Sequence, residues 1–438
     1  MRKDAAAGRS LPPLANLASY VRERPIAAGV AVLLVALAIQ TFVKSGSEWI
    51  EIYVDAGRRL IAGEPIYGPG SAYVYPPFMA MVAASFAFLP ATLSRAIWFF
   101  ANAVSLIGLL RWSWMLSRGP ALGAVRRWDR SDRVAGVLGL ACGATYLLNS
   151  FAHQQIDVVI AALLIGGCLQ LSKGRDARAG LLIGLAAACK ATPLVWLPYL
   201  LWRRRWIAAI TAAAIALGVN LAPDLAGGLE SAPRLRIWIS QIVLPAQGMS
   251  ARLGAWYSNI LYNQALGGTM QRVVNTTLQS DARGIEVRDA PRVAGTAMKI
   301  VYYAVLALLF AASVFVAGRR PATLRPADPG LPDRATFEYS VVFALMLLAS
   351  PMSSPAHFGI LILPGFCLAR VAARTGDRVL WSLLACAAFL SVFLNSDLVG
   401  KTVHTLLLWA GSITVVTLLL WAGSMIQLWR SRRRATAA

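Results

Sequence analysis

The chain has 438 residues, 58% of them hydrophobic and 14% charged, which is more apolar surface than one soluble core needs. Its formal charge is +22, from 42 Lys+Arg against 20 Asp+Glu. The basic residues sit in short clusters between apolar runs rather than on one face, which excludes nucleic acid as the partner and fits the positive-inside pattern of a chain whose solvent is the lipid bilayer.

Apolar runs recur at 26–43, 75–90, 95–116, 134–150, 156–172, 178–202, 206–222, 293–317, 337–350, 356–370, 378–394 and 402–429. A helix crossing hydrocarbon needs about 20 residues, so the expected fold class is all-α: one polytopic membrane domain over 1–438, with about 10–13 transmembrane or re-entrant helices. The first run follows a basic start (Arg2, Lys3, Arg9, Arg22, Arg24) and lacks a small-x-small cleavage site, so it is expected to remain as the first helix. Basic clusters at the N-terminus and at 118–133, 173–178, 203–205, 319–334, 370–378 and 430–434 mark the expected cytoplasmic face. Counting passes between clusters, 75–90 is expected not to change sides, and 178–202 either to return to its starting face or to be two short helices meeting near Lys190. Treating both as full single spans also restores parity, but it puts the five-arginine loop 117–133 outside.

This topology puts four connections on the outer face: 44–74, the turn 151–155, the long loop 223–292 and the turn 351–355. In the first of them, Asp55 lies one turn from Arg58 and Arg59 on a short interfacial helix, before a Gly-Glu-Pro-Ile-Tyr turn and Tyr75-Pro76-Pro77. A carboxylate at a cavity mouth suits a general base, and equally a surface salt bridge. Lys190 sits inside an apolar run, where an ammonium faces a cavity or a partner unless it snorkels to an interface. The loop 223–292 is too long for a plain connector and is expected to form a helical cap over the cavity.

The three histidines, His153, His357 and His404, come from separated segments without ligand spacing, so no metal and no cofactor are expected. Cys142, Cys168, Cys189, Cys367 and Cys386 lie in apolar segments and read as small core residues. Leu-Leu-Leu-Trp-Ala-Gly-Ser occurs at 406–412 and 418–424, an offset that does not keep one helix face. Outer-loop aromatic rings such as Trp49, Tyr53, Tyr67, Tyr73, Tyr75, Trp256, Tyr257 and Tyr262 serve sugar stacking or an interfacial belt.

Asp55 followed by Gly63, Pro65 and Tyr67, then Tyr73-x-Tyr75-Pro76-Pro77, resembles the opening signature of glycosyltransferase family 87, GT-C-type polyprenyl-phosphate-sugar transferases that include the α-1,2-mannosyltransferase of phosphatidylinositol mannoside synthesis. Further matches follow in order over about residues 45–370. His153-Gln154-Gln155 stands where the family has Gly-Gln-x-Asn, and Gly180 to Pro193 resembles its apolar run closing in Lys-x-x-Pro. Asn259, Asn263 and Gln264 with Arg272 are similar to its Asn-Gln-Ser stretch and following arginine, and Ser350 to His357 to its Ser-Pro-x-Ser-x-x-x-His turn. Two positions depart from the pattern: His153 replaces the glycine and Ala265 the serine.

The resemblance implies an inverting transfer of a sugar, by default mannose, from a polyprenyl-phosphate donor to an acceptor hydroxyl on a glycolipid or polysaccharide. It places the active site on the extracytoplasmic face of the inner (plasma) membrane. Asp55 is then the base, and Lys190, Arg272 and His357 stabilise the leaving phosphate. Arg58, Tyr75, His153, Gln154, Asn259, Asn263 and Gln264 complete the expected donor or substrate contacts. A carrier or flippase for a lipid-linked or small polar solute is the competing class, although no paired halves are visible in the sequence; a structural partner in envelope assembly is a third.

Overall fold

The structure is a computed structural model that describes residues 25–122, 128–226, 233–244, 253, 260–281, 284–319 and 328–437. In chain order, α1 (Pro25–Val43) leads through a π-helical turn (Trp49–Val54) to α2 (Asp55–Ile61), α3 (Pro77–Ala84) and α4 (Ala91–Leu116). Then come α5 (Arg130–Ala141), α6 (Ala144–His153), α7 (Asp157–Ser172), α8 (Asp176–Cys189), α9 (Trp196–Trp202), α10 (Trp206–Ala226), α11 (Arg234–Trp238) and α12 (Leu266–Asn275). An antiparallel hairpin follows, β1 (Thr276–Asp281) with β2 (Gly284–Asp289), pairing Thr276 with Asp289 and Asp281 with Gly284. The chain closes with α13 (Gly295–Ala317), α14 (Arg334–Ala349), a 3-10 segment (Pro355–Leu361) running into α15 (Ile362–Thr375), then α16 (Arg378–Val392), α17 (Ser396–Trp409) and α18 (Ser412–Ala437).

The protein is helical and crosses the membrane several times. Among the described residues five helical segments are long and apolar enough to span it, and the bent pairs α5–α6 and α16–α17 raise the number to as many as seven. Their outward faces are apolar: Phe100, Ile107, Ile210, Leu217, Leu308 and Phe315 are all exposed, the reverse of a soluble surface and what hydrocarbon requires. The segment Pro355–Thr375 is enclosed by the other helices almost along its full length, so the bundle is built around it.

Several expectations are met and several corrected. The run 75–90 holds only the eight-residue α3, too short to cross. The run 178–202 is broken at Lys190, whose backbone is extended (φ −152°, ψ 134°), and restarts as a 3-10 turn at Thr192–Val195. Pro193 sits in the first turn of that restart, where its missing N–H removes no helical bond. The run 402–429 is not one helix: it divides around Gly411, which takes φ +77°, and α17 is bent by 101° from α16. The cap expected to be helical also carries the hairpin. Cys386 is exposed while the other four cysteines are buried.

Close helix approach explains how the broken segment is held. A Cβ on Gly180 would come 2.5 Å from Ala208 O, and one on Gly184 2.7 Å from Ala212 O. The two glycines, four residues apart, form a small-residue face on α8 that lets α10 pack backbone to backbone, the usual way apolar helices associate where lipid supplies no hydrophobic drive. From α10, Asn220 donates to Ala188 O near the break (3.2 Å), and its Oδ1 accepts from Phe78 N at the start of α3 (2.9 Å). One buried amide thus satisfies backbone groups at two interrupted helix ends, as membrane depth demands.

At the other end of the bundle the basic clusters are tied to acids and carbonyls. Arg203 meets Glu338 at 2.5 Å and Gly318 O at 3.0 Å. Arg370 pairs with the buried Asp132, Arg118 with Asp333 (2.6 Å) and Arg430 with Asp377. Replacing Gly184 by alanine should force α8 and α10 apart and lower stability by about 1–3 kcal/mol. Thermal unfolding in lipid nanodiscs checks this, and an unchanged midpoint for Gly184→Ala would contradict the packing described.

Candidate active site

The four connections expected on one face do meet. Lys44 Nζ donates to Ala152 O (3.2 Å), Ser47 Oγ lies 2.6 Å from the Gln154 amide, and Gln155 Nε2 donates to Glu48 Oε2 (2.8 Å). Trp238 Nε1 donates to Val74 O (3.1 Å), and Gln264 N to Ser353 O (2.7 Å).

Where they converge, Lys190 Nζ is 2.7 Å from Asp157 Oδ1 and 2.7 Å from His357 Nε2, with His357 Nε2 3.7 Å from the same carboxylate oxygen. The Tyr75 ring lies beside the ammonium, its centroid 5.7 Å from Nζ, within cation–π range. Each member is set by an interruption: Asp157 begins α7, Lys190 ends α8, and His357 lies in the 3-10 lead-in to α15. Lys190 and Asp157 are both buried, so the pair exists because neither charge could stay there alone. With Lys190 donating, His357 Nε2 accepts, and its remaining proton is on Nδ1.

The same region holds buried polar atoms without a hydrogen-bond partner, among them Asp157 Oδ2, Gln155 Oε1 and Ser354 Oγ. Such atoms are rare and concentrate where a ligand or water belongs. A cavity of about 20 Å³ adjoins Asp157, lined also by Lys190, Thr192, Ser353 and His357 on its polar side, room for about one water.

The other anticipated residues fall into distinct places. Asp55, the first residue of α2 after the π turn, has a side chain 43% exposed and accepts from Arg59 Nε at 2.8 Å. Arg59 also donates to Gly70 O (3.1 Å), and its guanidinium is pushed up by its hydrogen bond to Asp55. Arg58 is exposed. His153 closes α6 with Nδ1 2.9 Å from Asn149 O. Gln154 is buried in a left-handed conformation (φ 56°), its carbonyl accepting from Trp98 Nε1 (3.0 Å). Asn263 donates to Pro351 O and accepts from Ser353 N, while Gln264 donates to Leu261 O and Leu408 O. Arg272 is fully buried and donates to Trp409 O and Asn263 O, both at 2.8 Å. Burial lowers Arg272 to about 10, so it remains a cation at neutral pH. Asn259 lies outside the described residues.

Sequence reasoning passed over Asp157 and Glu48. The signal for Asp157 was available: it is a lone carboxylate opening an apolar run, 33 positions before the lysine buried in another. Two opposite charges at membrane depth are expected to pair.

A family model matches residues 73–351, described as glycosyltransferase family 87. The chain belongs to glycosyltransferase family 87. Among curated proteins it is similar to a polyprenol-phosphate-mannose-dependent α-(1-2)-phosphatidylinositol mannoside mannosyltransferase of Mycobacterium tuberculosis, 34% identical over 188 residues, 38% of this chain and 42% of that protein. A polyprenol-phosphate-mannose-dependent α-(1-2)-phosphatidylinositol pentamannoside mannosyltransferase of Mycolicibacterium smegmatis is 29% identical over 203 residues, 42% of this chain and 45% of that one. The chain thus spans under half the length of these relatives. The crystal structure of ArnT from Cupriavidus metallidurans bound to undecaprenyl phosphate aligns over 92% of this chain and 77% of that one, at 15% identity and a TM-score of 0.35.

Truncating Asp157 would strand the Lys190 ammonium. Asp157→Ala is expected to lose about 3–5 kcal/mol, and the double change Asp157→Leu with Lys190→Met to recover most of it, since an apolar pair substitutes well for a buried ionic one. Denaturant unfolding of the three proteins in lipid decides this; equal stability of Asp157→Ala and wild type would remove the pair as a brace.

Proposed function

We propose that the protein is a GT-C-type glycosyltransferase that moves a sugar, mannose first among candidates, from a polyprenyl-phosphate donor to an acceptor hydroxyl on a glycolipid or polysaccharide. The observation that carries the reading is the Lys190–Asp157–His357 cluster beside Tyr75; Asp157, Lys190 and Tyr75 lie within the family match, and His357 follows six residues after its end. The donor named for the curated relatives, polyprenol-phosphate mannose, supports the choice of sugar and lipid.

In this reading the acceptor hydroxyl attacks the anomeric carbon as the bond from that carbon to the phosphate oxygen breaks. The proton goes to Asp55, whose carboxylate is accessible and held in place by Arg59. Polyprenyl phosphate leaves with the bonding electrons, and the charge developing on it is met by the third N–H of Lys190 and by His357 Nδ1–H. Attack opposite the departing phosphate inverts the anomeric centre. Because the adjoining cavity has room for about one water, the donor headgroup is admitted as the first loop and the 351–355 turn draw apart. Arg272, Asn263 and Gln264 act by holding that turn, through Asn263 to Pro351 and Gln264 to Ser353, while Arg58 and His153 line the approach and the buried Gln154 ties the 151–155 turn to the first loop at Ser47. The site is placed on the extracytoplasmic face of the inner membrane, a reading supported by the gathering of basic clusters at the far end.

The test is transfer from synthetic polyprenyl-phosphate mannose by the purified protein in lipid. Asp55→Asn, folded as judged by thermal unfolding, should reduce the rate by about 10²–10⁴-fold, the range for a lost general base. Full activity in that variant would move the base elsewhere; donor binding or flipping by wild type with no product would favour the carrier instead.

A further inference from the structure

The phosphate contacts leave a second set of buried polar atoms unused. Glu48, just ahead of the π turn, accepts from Gln155 Nε2 at 2.8 Å. Burial raises its carboxyl above the ordinary value, while the Gln155 hydrogen bond and the charges of His153 and Lys44 partly oppose the rise. Gln155 Oε1 and Asp157 Oδ2 are buried and have no hydrogen-bond partner, and the buried Tyr53 Oη has the Tyr75 hydroxyl as its side-chain neighbour. Tyr53 is wholly enclosed and its ring centroid lies 4.8 Å from that of Tyr75. Burial, then the neighbouring Tyr75, Asp157 and Glu48, push the Tyr53 phenol well above its ordinary value. These groups are one neighbourhood: Glu48 and Tyr53 both feel the charge of Asp157, Gln155 bonds Glu48, and Asp157 lines the cavity it shares with Lys190.

Its chemistry is one-sided. A carboxylate oxygen of Asp157, the Glu48 carboxylate and an amide oxygen are all acceptors, and a phenol can accept as well as donate. An enclosure rich in acceptors takes donors and turns away anions. A neutral, hydroxyl-rich ring fits it; a uronate or a second phosphate does not.

We propose that Glu48, Gln155, Asp157 Oδ2 and Tyr53 Oη form the subsite that reads the hydroxyl groups of the transferred sugar, next to the phosphate contacts of Lys190 and His357. The proposal rests on the polyprenyl-phosphate-sugar reading above and adds the residues that select the sugar. Tyr53 is a direct probe, because Tyr53→Phe keeps the ring packing against Tyr75 and takes from the folded protein at most one weak phenol–phenol contact.

The experiment measures binding of polyprenyl-phosphate mannose and of bare polyprenyl phosphate to wild type, Tyr53→Phe and Glu48→Gln in nanodiscs. Wild type should prefer the mannosylated lipid. Each variant should lower that preference about 5- to 10-fold, the worth of one buried hydrogen bond, with the affinity for the bare lipid held within about twofold and Tyr53→Phe still folded by thermal unfolding. Equal binding of the two lipids by wild type, an unchanged preference in both variants, or a parallel loss of both lipids would overturn the subsite. Transfer assayed on the same samples separates the two readings: a preference that responds to these variants without any product upholds the subsite and removes the transferase.

Discussion

The ion pair between Lys190 and Asp157 is the constraint around which the site end of the bundle is arranged. A single ammonium at that depth is expensive, and the expense falls only when a carboxylate is brought to it with good geometry. Bringing it there requires α8 to stop at Lys190, α7 to start at Asp157, and the 3-10 lead-in to α15 to present His357. Each interruption frees backbone groups that must be satisfied inside the protein. Asn220 does so on one side, and the contacts of Asn263, Gln264 and Arg272 around the 351–353 turn do so on the other. The polar residues of this end therefore divide into those that maintain the breaks and those that the breaks expose.

That division accounts for what could be read from the sequence. The broken helix was legible because a lysine followed three positions later by proline cannot continue an apolar span unperturbed. The convergence of four connections was legible from the basic clusters, which fixed the other end. Asp157 was hidden because a carboxylate at the start of an apolar run looks like an ordinary helix N-terminus, and its partner is far away in the chain. The hairpin escaped because its strands are short and largely polar, with Leu278 and Val287 paired on a face that hydropathy does not register. The division of 402–429 escaped for a different reason: Gly411 interrupts an otherwise uniform apolar run, and its left-handed backbone (φ +77°) and close approach to Thr269, 2.2 Å from where a Cβ would stand, are visible only in the fold.

Asp55 shows the limit of reasoning from residue type. The sequence left a general base and a surface salt bridge equally open, and the geometry contains the bridge, Asp55 to Arg59 at 2.8 Å. The two are compatible, since a carboxylate that is 43% exposed keeps an oxygen free for a substrate proton while its partner fixes its orientation. The π turn just before it adds to the case: the altered winding turns α2 relative to Glu48 and Tyr53, and such interruptions gather at functional sites.

The central claim is that Lys190, at the break in its helix, receives the donor phosphate. A structure of the protein in lipid with polyprenyl phosphate bound tests it most directly. The account predicts the phosphate within hydrogen-bond distance of Lys190 Nζ and His357, with the lipid tail leaving between helices into the bilayer. A phosphate held elsewhere, with the Lys190–Asp157 pair still closed and covered, would contradict it.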